Sequence, residues 1–158
     1  MNAKMSAVRR AFEKAGFKNV RTVLASGNVV FDARTASEPA LARRAGKAVE
    51  KELGRAFYII VRPVAALEKL LKADPFARFR LPRDAKRVVT FLGERHKAKL
   101  DLPLQREGAR ILASNGREAF IAYVPMPRIA AFMEVIRDSF GEKVTTRSWD
   151  TIRKCTES

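Results

Sequence analysis

Few side chains in this 158-residue sequence are suited to covalent or acid–base chemistry. There is one histidine, His96, and one cysteine, Cys155. A serine–histidine–aspartate relay would have to run through His96. That residue lies in the charged run Glu94-Arg95-His96-Lys97 and reads as a solvated surface residue. A structural zinc site takes about four Cys or His ligands, and the chain holds one of each. The cations Arg153 and Lys154 beside Cys155 favour a thiolate, but a terminal position is a poor seat for a nucleophile. One cysteine forms no internal disulfide, and such usage fits a reducing, cytosolic setting. No general base stands out beyond carboxylates in helical stretches. The reading therefore leans away from catalysis and expects no metal and no cofactor.

Anion binding is the chemistry that remains. Ser26-Gly27-Asn28 puts two polar side chains around a glycine that admits positive φ and close backbone approach; the favoured alternative is a plain turn whose polar groups satisfy local N–H groups. Thr146-Arg147-Ser148-Trp149-Asp150-Thr151 combines a bidentate cation, a helix N-cap candidate and a ring that can stack. The alternative there is a capped terminal helix with Trp149 as its core anchor. The third candidate is charge itself. Lys and Arg number 32 against 17 Asp and Glu, a net charge of +15. The densest stretch carries Arg78, Arg80, Arg83, Lys86 and Arg87, then Arg95, Lys97 and Lys99. Such a field attracts nucleic acid or another polyanion. Phe76 and Phe79 are interleaved with the arginines, as base-stacking positions can be. The alternative is a merely solvated basic surface.

The elements that must position these groups follow from periodicity. Met5, Val8 and Phe12 recur at helical spacing over residues 3–15, with Gly16 as cap. Extended runs at 20–25 and 29–31 flank Ser26-Gly27-Asn28. Ser37 and Pro39 open a helix whose buried face is Leu41, Ala45, Val49 and Leu53, ended by Gly54. Residues 57–62 read as a strand. A connecting helix presents Val64, Leu67, Leu70 and Leu71 inward and stops at Asp74-Pro75.

The second half opens with a strand at 87–92, and the charged stretch 93–103 suits a short helix. Strands at 110–113 and 118–124 flank Asn115-Gly116, a strong hairpin signal. A helix at 128–140 has Ile129, Phe132, Met133, Ile136 and Phe140 on one face. An extended run at 144–147 leads to a last helix starting at Ser148. That order is the ferredoxin-like βαββαβ unit. The first half has the same order without its opening strand, and Leu24-Ala25-Ser26-Gly27-Asn28 echoes Leu112-Ala113-Ser114-Asn115-Gly116. In such a sheet the opening strand is central, so its two neighbours lose their ladder partners. A strand from the other half, a partner chain or residues outside this numbering would fill the gap. The favoured reading is that Met1 lies downstream of the natural start. Strands 87–92 and 118–124 are apolar on both faces, so both faces are expected to be covered, unlike an RNA-binding sheet with an open aromatic face.

The segments Met5–Phe17 (MSAVRRAFEKAGF), Val20–Phe31 (VRTVLASGNVVF), Asp74-Pro75-Phe76 and Thr145–Lys154 (TTRSWDTIRK) resemble the bacterial family catalogued as domain of unknown function 1697. The resemblance implies an α+β fold of two ferredoxin-like units and implies no established activity. Members usually begin with a strand and a glycine-rich segment of the type RGINVGG, which this sequence lacks. They also carry a GxGxSK-like segment where Tyr123-Val124-Pro125-Met126-Pro127-Arg128-Ile129 stands here. Those two segments are the family's best candidates for holding a phosphate by backbone N–H groups.

The expectation is thus an α+β chain of two ferredoxin-like halves sharing a core: residues 1–75, a basic linker at 76–86, and residues 87–158. The function expected is a cytosolic, non-enzymatic module that binds nucleic acid or another polyanion. The alternative is an enzyme or binding protein for a small phosphate- or carboxylate-bearing ligand. No apolar run approaches the roughly 20 residues of a membrane-spanning helix, and the opening MNAKMSAVRR has no apolar signal core. A homodimer is expected only if the missing strand is supplied in trans.

Overall fold

A computed structural model describes residues 3–24, 27–94, 102, 104–106, 109–124 and 129–157. The described chain is α+β. Its order is α1 (Met5–Lys14), β1 (Lys18–Val23), β2 (Asn28–Asp32), α2 (Glu38–Leu53), α3 (Val64–Ala73), β3 (Lys86–Leu92), β4 (Leu104–Arg106), β5 (Ala109–Ser114), β6 (Glu118–Tyr123), α4 (Ile129–Phe140), β7 (Val144–Ser148) and α5 (Trp149–Thr156). The chain divides into two units. One is Met1–Glu68 with Arg153–Ser158, and the other is Lys69–Ile152.

In the first unit the apolar stripe of α1 buries Val8, Ala11 and Phe12 against Ala45 and Val49 of α2. Phe12, Phe17 and Phe31 form a tilted triple with centroids 4.6–5.4 Å apart. The α2 boundaries follow their local chemistry: Ser37 Oγ accepts the Ala40 N–H at 3.2 Å, and Gly54 closes the helix at φ +76°. Arg44 on α2 reaches the end of α1, where it donates to the Ala15 carbonyl and lies 4.2 Å over the Phe17 ring. β1 and β2 form a two-stranded antiparallel sheet. The strand expected at residues 57–62 is not formed; these residues belong to no ladder. A strand needs a neighbour to take its hydrogen bonds, and apolar alternation alone supplies none.

In the second unit five strands run in the order β4-β5-β6-β3-β7, every neighbour antiparallel. Val88 to Leu92 are all buried, and so are Glu118 to Ala122. Both faces of these strands are covered, as the apolar residues on both of their faces lead one to expect. One face carries Val88, Ile111, Ala119 and Ile121 against Val135 and Ile136 of α4. Met133, expected on the buried face of α4, is 44% exposed; Val135 faces the core instead. The hairpin falls at Asn115-Gly116 as its sequence signals. Asn115 Oδ1 accepts the N–H groups of Arg117 and Glu118 at 2.8 and 2.7 Å, and Gly116 sits at φ +87°. The three residues of β4 carry no strand pattern of their own. Most of the helix expected at 93–103 lies outside the described residues.

α3 spans the boundary of the units and has no fully buried residue; Leu67, Leu70 and Leu71 are half-buried. It stops as expected at Asp74, whose carboxylate accepts the Phe76 N–H at 3.2 Å.

Candidate functional site

The basic stretch enters β3 through a series of turns. Arg78, Arg80, Arg83, Lys86 and Arg87 are all exposed, with Asp84 the only acidic residue among them. The Arg78 guanidinium lies 4.9 Å over the Phe79 ring, and Arg110 on β5 donates to the Arg80 carbonyl at 3.2 Å. Arg87 and Arg110 both register with Ala122 on the strand between them. Cross-strand partners share a face, so these two cations flank one end of one sheet face. Phe76 is not available for stacking. It is 2% exposed, with edge contacts to Phe120 at 6.0 Å and Trp149 at 5.1 Å. Phe79 is half-buried beneath Arg78. Arg95, Lys97, Lys99 and His96 lie outside the described residues.

The second candidate lies at the β7–α5 junction. Ser148 Oγ accepts the Thr151 N–H at 3.1 Å and lies 2.9 Å from Thr151 Oγ1, so Ser148 caps α5 as expected. Arg147 folds back on its own strand and donates to Thr145 Oγ1 at 2.6 Å and to the Thr146 carbonyl at 2.9 Å. Thr146 Oγ1 meets Thr90 Oγ1 of β3 at 2.8 Å. Trp149 is half-buried against Phe76. Each hydroxyl and guanidinium named here has a partner within the protein, which is the geometry of a strand-to-helix corner.

The third candidate is the β1–β2 turn. Gly27 adopts φ +96°, the left-handed conformation its sequence position suggests. Asn28 Nδ2 donates to the Val23 carbonyl at 2.9 Å and ties the turn to the end of β1. Ser26 lies outside the described residues. Gly27 and Asn28 fall in the first unit, and Thr146, Arg147 and Trp149 in the second.

One anchoring group carried no sequence signal. Arg21 of β1 donates to the main-chain carbonyls of Lys154 and Cys155 in the last turn of α5, and to that of Glu157 just beyond the helix. A lone arginine on a strand does not reveal partners 133 to 136 positions away in sequence.

The family model described as Protein of unknown function (DUF1697) matches residues 1–120. The chain belongs to that family. The match takes in MSAVRRAFEKAGF, VRTVLASGNVVF and Asp74-Pro75-Phe76. The TTRSWDTIRK segment lies beyond it. No curated protein and no solved structure matches the chain. Among the described residues, no helix is long and apolar enough to cross a membrane.

Proposed function

We propose that this DUF1697 chain is a non-catalytic basic module that holds a polyanion, nucleic acid foremost, along the arginine-rich entry to β3. One observation carries the reading: Arg78, Arg80, Arg83, Lys86 and Arg87 are exposed cations crowded into the short stretch from 78 to 87. They sit in a chain whose net charge is +15. Cations held near a rigid sheet displace condensed counterions from a phosphate backbone. Binding of this kind reads backbone charge and carries little base specificity. The burial of Phe76 removes one stacking position and favours charge over ring stacking as the source of affinity.

The architecture we propose with this reading is two βαββαβ halves, the first without its opening strand. In its favour, β7-β3-β6-β5 has the strand order and the antiparallel sense of that unit. The hairpins β1–β2 and β5–β6 also hold corresponding positions in chain order.

Titration with mixed-sequence duplex DNA at several salt concentrations tests the proposal. Log affinity is expected to fall linearly with log salt, by about 0.9 per phosphate neutralised. Replacing Arg80, Arg83 and Arg87 with Glu should weaken binding uniformly across sequences. It should also reduce the slope by about one for each phosphate no longer neutralised. Equal affinity of that variant, or no retention even at low salt, refutes the module. Inorganic phosphate that raises the melting temperature in wild type, but not in Arg147→Ala, would point to a small-anion site at Thr146, Arg147 and Trp149 instead.

A further inference from the structure

The basic stretch runs from a buried anchor, Phe76, to the start of β3 at Lys86. Phe76 meets Phe120 of β6 edge-on at 6.0 Å. Phe120 and Ala122 are two apart on β6 and so share a face. Ala122 registers with Arg110 of β5, which puts Arg110 on that same face. The Arg110 guanidinium donates through Nη1 to the Arg80 carbonyl at 3.2 Å. The stretch is thus held to one sheet face at two points, by a ring at Phe76 and by a side-chain bond at Arg80. A turn on one side is closed by the Phe79 N–H on the Phe76 carbonyl, and one on the other by the Ala85 N–H on the Pro82 carbonyl. Between them, residues 80 and 81 make no hydrogen bond besides the one from Arg110, among the described residues.

That single bond works against a repulsion. Arg78, Arg80, Arg83, Lys86 and Arg87 are crowded around one carboxylate, Asp84. Among the described residues no ion pair joins any of these cations to a carboxylate. Like charges this close push the chain apart. A loop free to spread has to be ordered again when it binds, and that ordering weakens affinity. A guanidinium presents its donors in a fixed fork and stays charged, so its bond to a carbonyl is charge-assisted. We infer that Arg110 is the positioning residue of the basic stretch: by strapping Arg80 to the sheet it preorganises the neighbouring cations and so sets the affinity for a polyanion. The inference rests on the proposed reading of that stretch as the polyanion site.

Arg87 shows the contrasting role. It registers with the same Ala122 from the other side, on β3. Its side chain is exposed and makes no hydrogen bond among the described residues, whereas Arg110 is half-buried and engaged with the backbone. Two cations in one cross-strand row therefore differ in task. Arg87 is presented to a partner, and Arg110 acts through the residues it holds.

Arg110→Met keeps an apolar stem and removes the donors. Trypsin digestion of the whole chain without ligand reads the strap, because cleavage after Arg78, Arg80 and Arg83 requires local opening. The variant should be cut there about tenfold faster while its thermal unfolding stays cooperative. In titrations with mixed-sequence duplex DNA, its affinity at fixed salt should fall about tenfold. The slope of log affinity against log salt should keep its wild-type value, because no phosphate contact is lost. A slope reduced by about one makes Arg110 a direct phosphate contact and overturns the inference. Equal cleavage rates overturn it too, and so does faster cleavage with unchanged affinity, which leaves the bond a purely structural one. Failure of the wild type to bind at low salt refutes the polyanion reading and the role in affinity with it, while the cleavage rates still decide whether Arg110 straps the stretch.

Discussion

In the unit built on β3, five strands share one sheet, whereas among the described residues the unit built on α1 and α2 forms a single two-stranded sheet, the β1–β2 hairpin. Both contain a hairpin followed by a helix. β7 becomes a strand because β3 meets its edge from Val144 to Ser148. Residues 56–61 do not, because nothing described meets theirs. The contrast shows that β structure is a property of pairs. Side-chain alternation selects the layer a segment joins, and a neighbour's backbone decides whether it becomes a strand.

The largest effect that breaks or sharpens this contrast is a proline exchange. Thr90→Pro removes a donor from a strand paired on both sides and deletes the Thr90–Thr146 bond. It is expected to cost more than about 4 kcal/mol, or to abolish cooperative unfolding of that unit. Tyr58→Pro is expected to stay within about 1 kcal/mol of wild type in urea unfolding, since no described bond is removed. Equal costs would mean that 56–61 is laddered after all.

Truncating the layers comes next. Ile121→Ala should cost about 2–5 kcal/mol, because the side chain is fully buried on the strand between β3 and β5. Ile59→Ala, at a half-buried position, should cost about half of that. The helix caps should be indifferent to the contrast. Ser37→Ala in one unit and Ser148→Ala in the other should each cost about 1 kcal/mol, read from chemical denaturation. A much larger loss at Ser148 would assign it a role beyond capping.

The smallest effect is electrostatic and lies in the first unit. The hydrogen bond from Lys14 at 3.1 Å holds the Glu52 carboxyl below its usual pKa, helped by the charges of Lys14 and Arg10 and opposed by desolvation. A depressed carboxylate stabilises the fold above its unfolded pKa, and that contribution fades as pH falls through the folded value. Glu52→Gln should therefore flatten only the acid limb of a stability–pH curve, by a small margin suited to a surface pair. A change confined to alkaline pH would contradict the assignment.

Much of the architecture is legible in the residues because it is set locally. Ser37 and Gly54 bracket α2, Asp74-Pro75 stops α3, Asn115-Gly116 turns the hairpin and Ser148 starts α5. The features that escape such a reading depend on partners distant in sequence. Residues 57–62 carry a strand pattern but no ladder, Met133 yields its place to Val135, and Arg21 holds carbonyls at the far end of the chain. Of the candidate site, the exposure of the Arg78–Arg87 cations follows from their charge. The burial of Phe76 depends on Phe120 and Trp149, which no local pattern announces.

Native-state hydrogen exchange on the free chain, read residue by residue, tests the contrast between the units most directly. Amides of Val88–Leu92 should exchange only on global opening, and those of Phe57–Ile60 should exchange at nearly the rate of an unstructured peptide. Matching protection in the two segments of the monomer would contradict the idea that 56–61 lacks a partner strand.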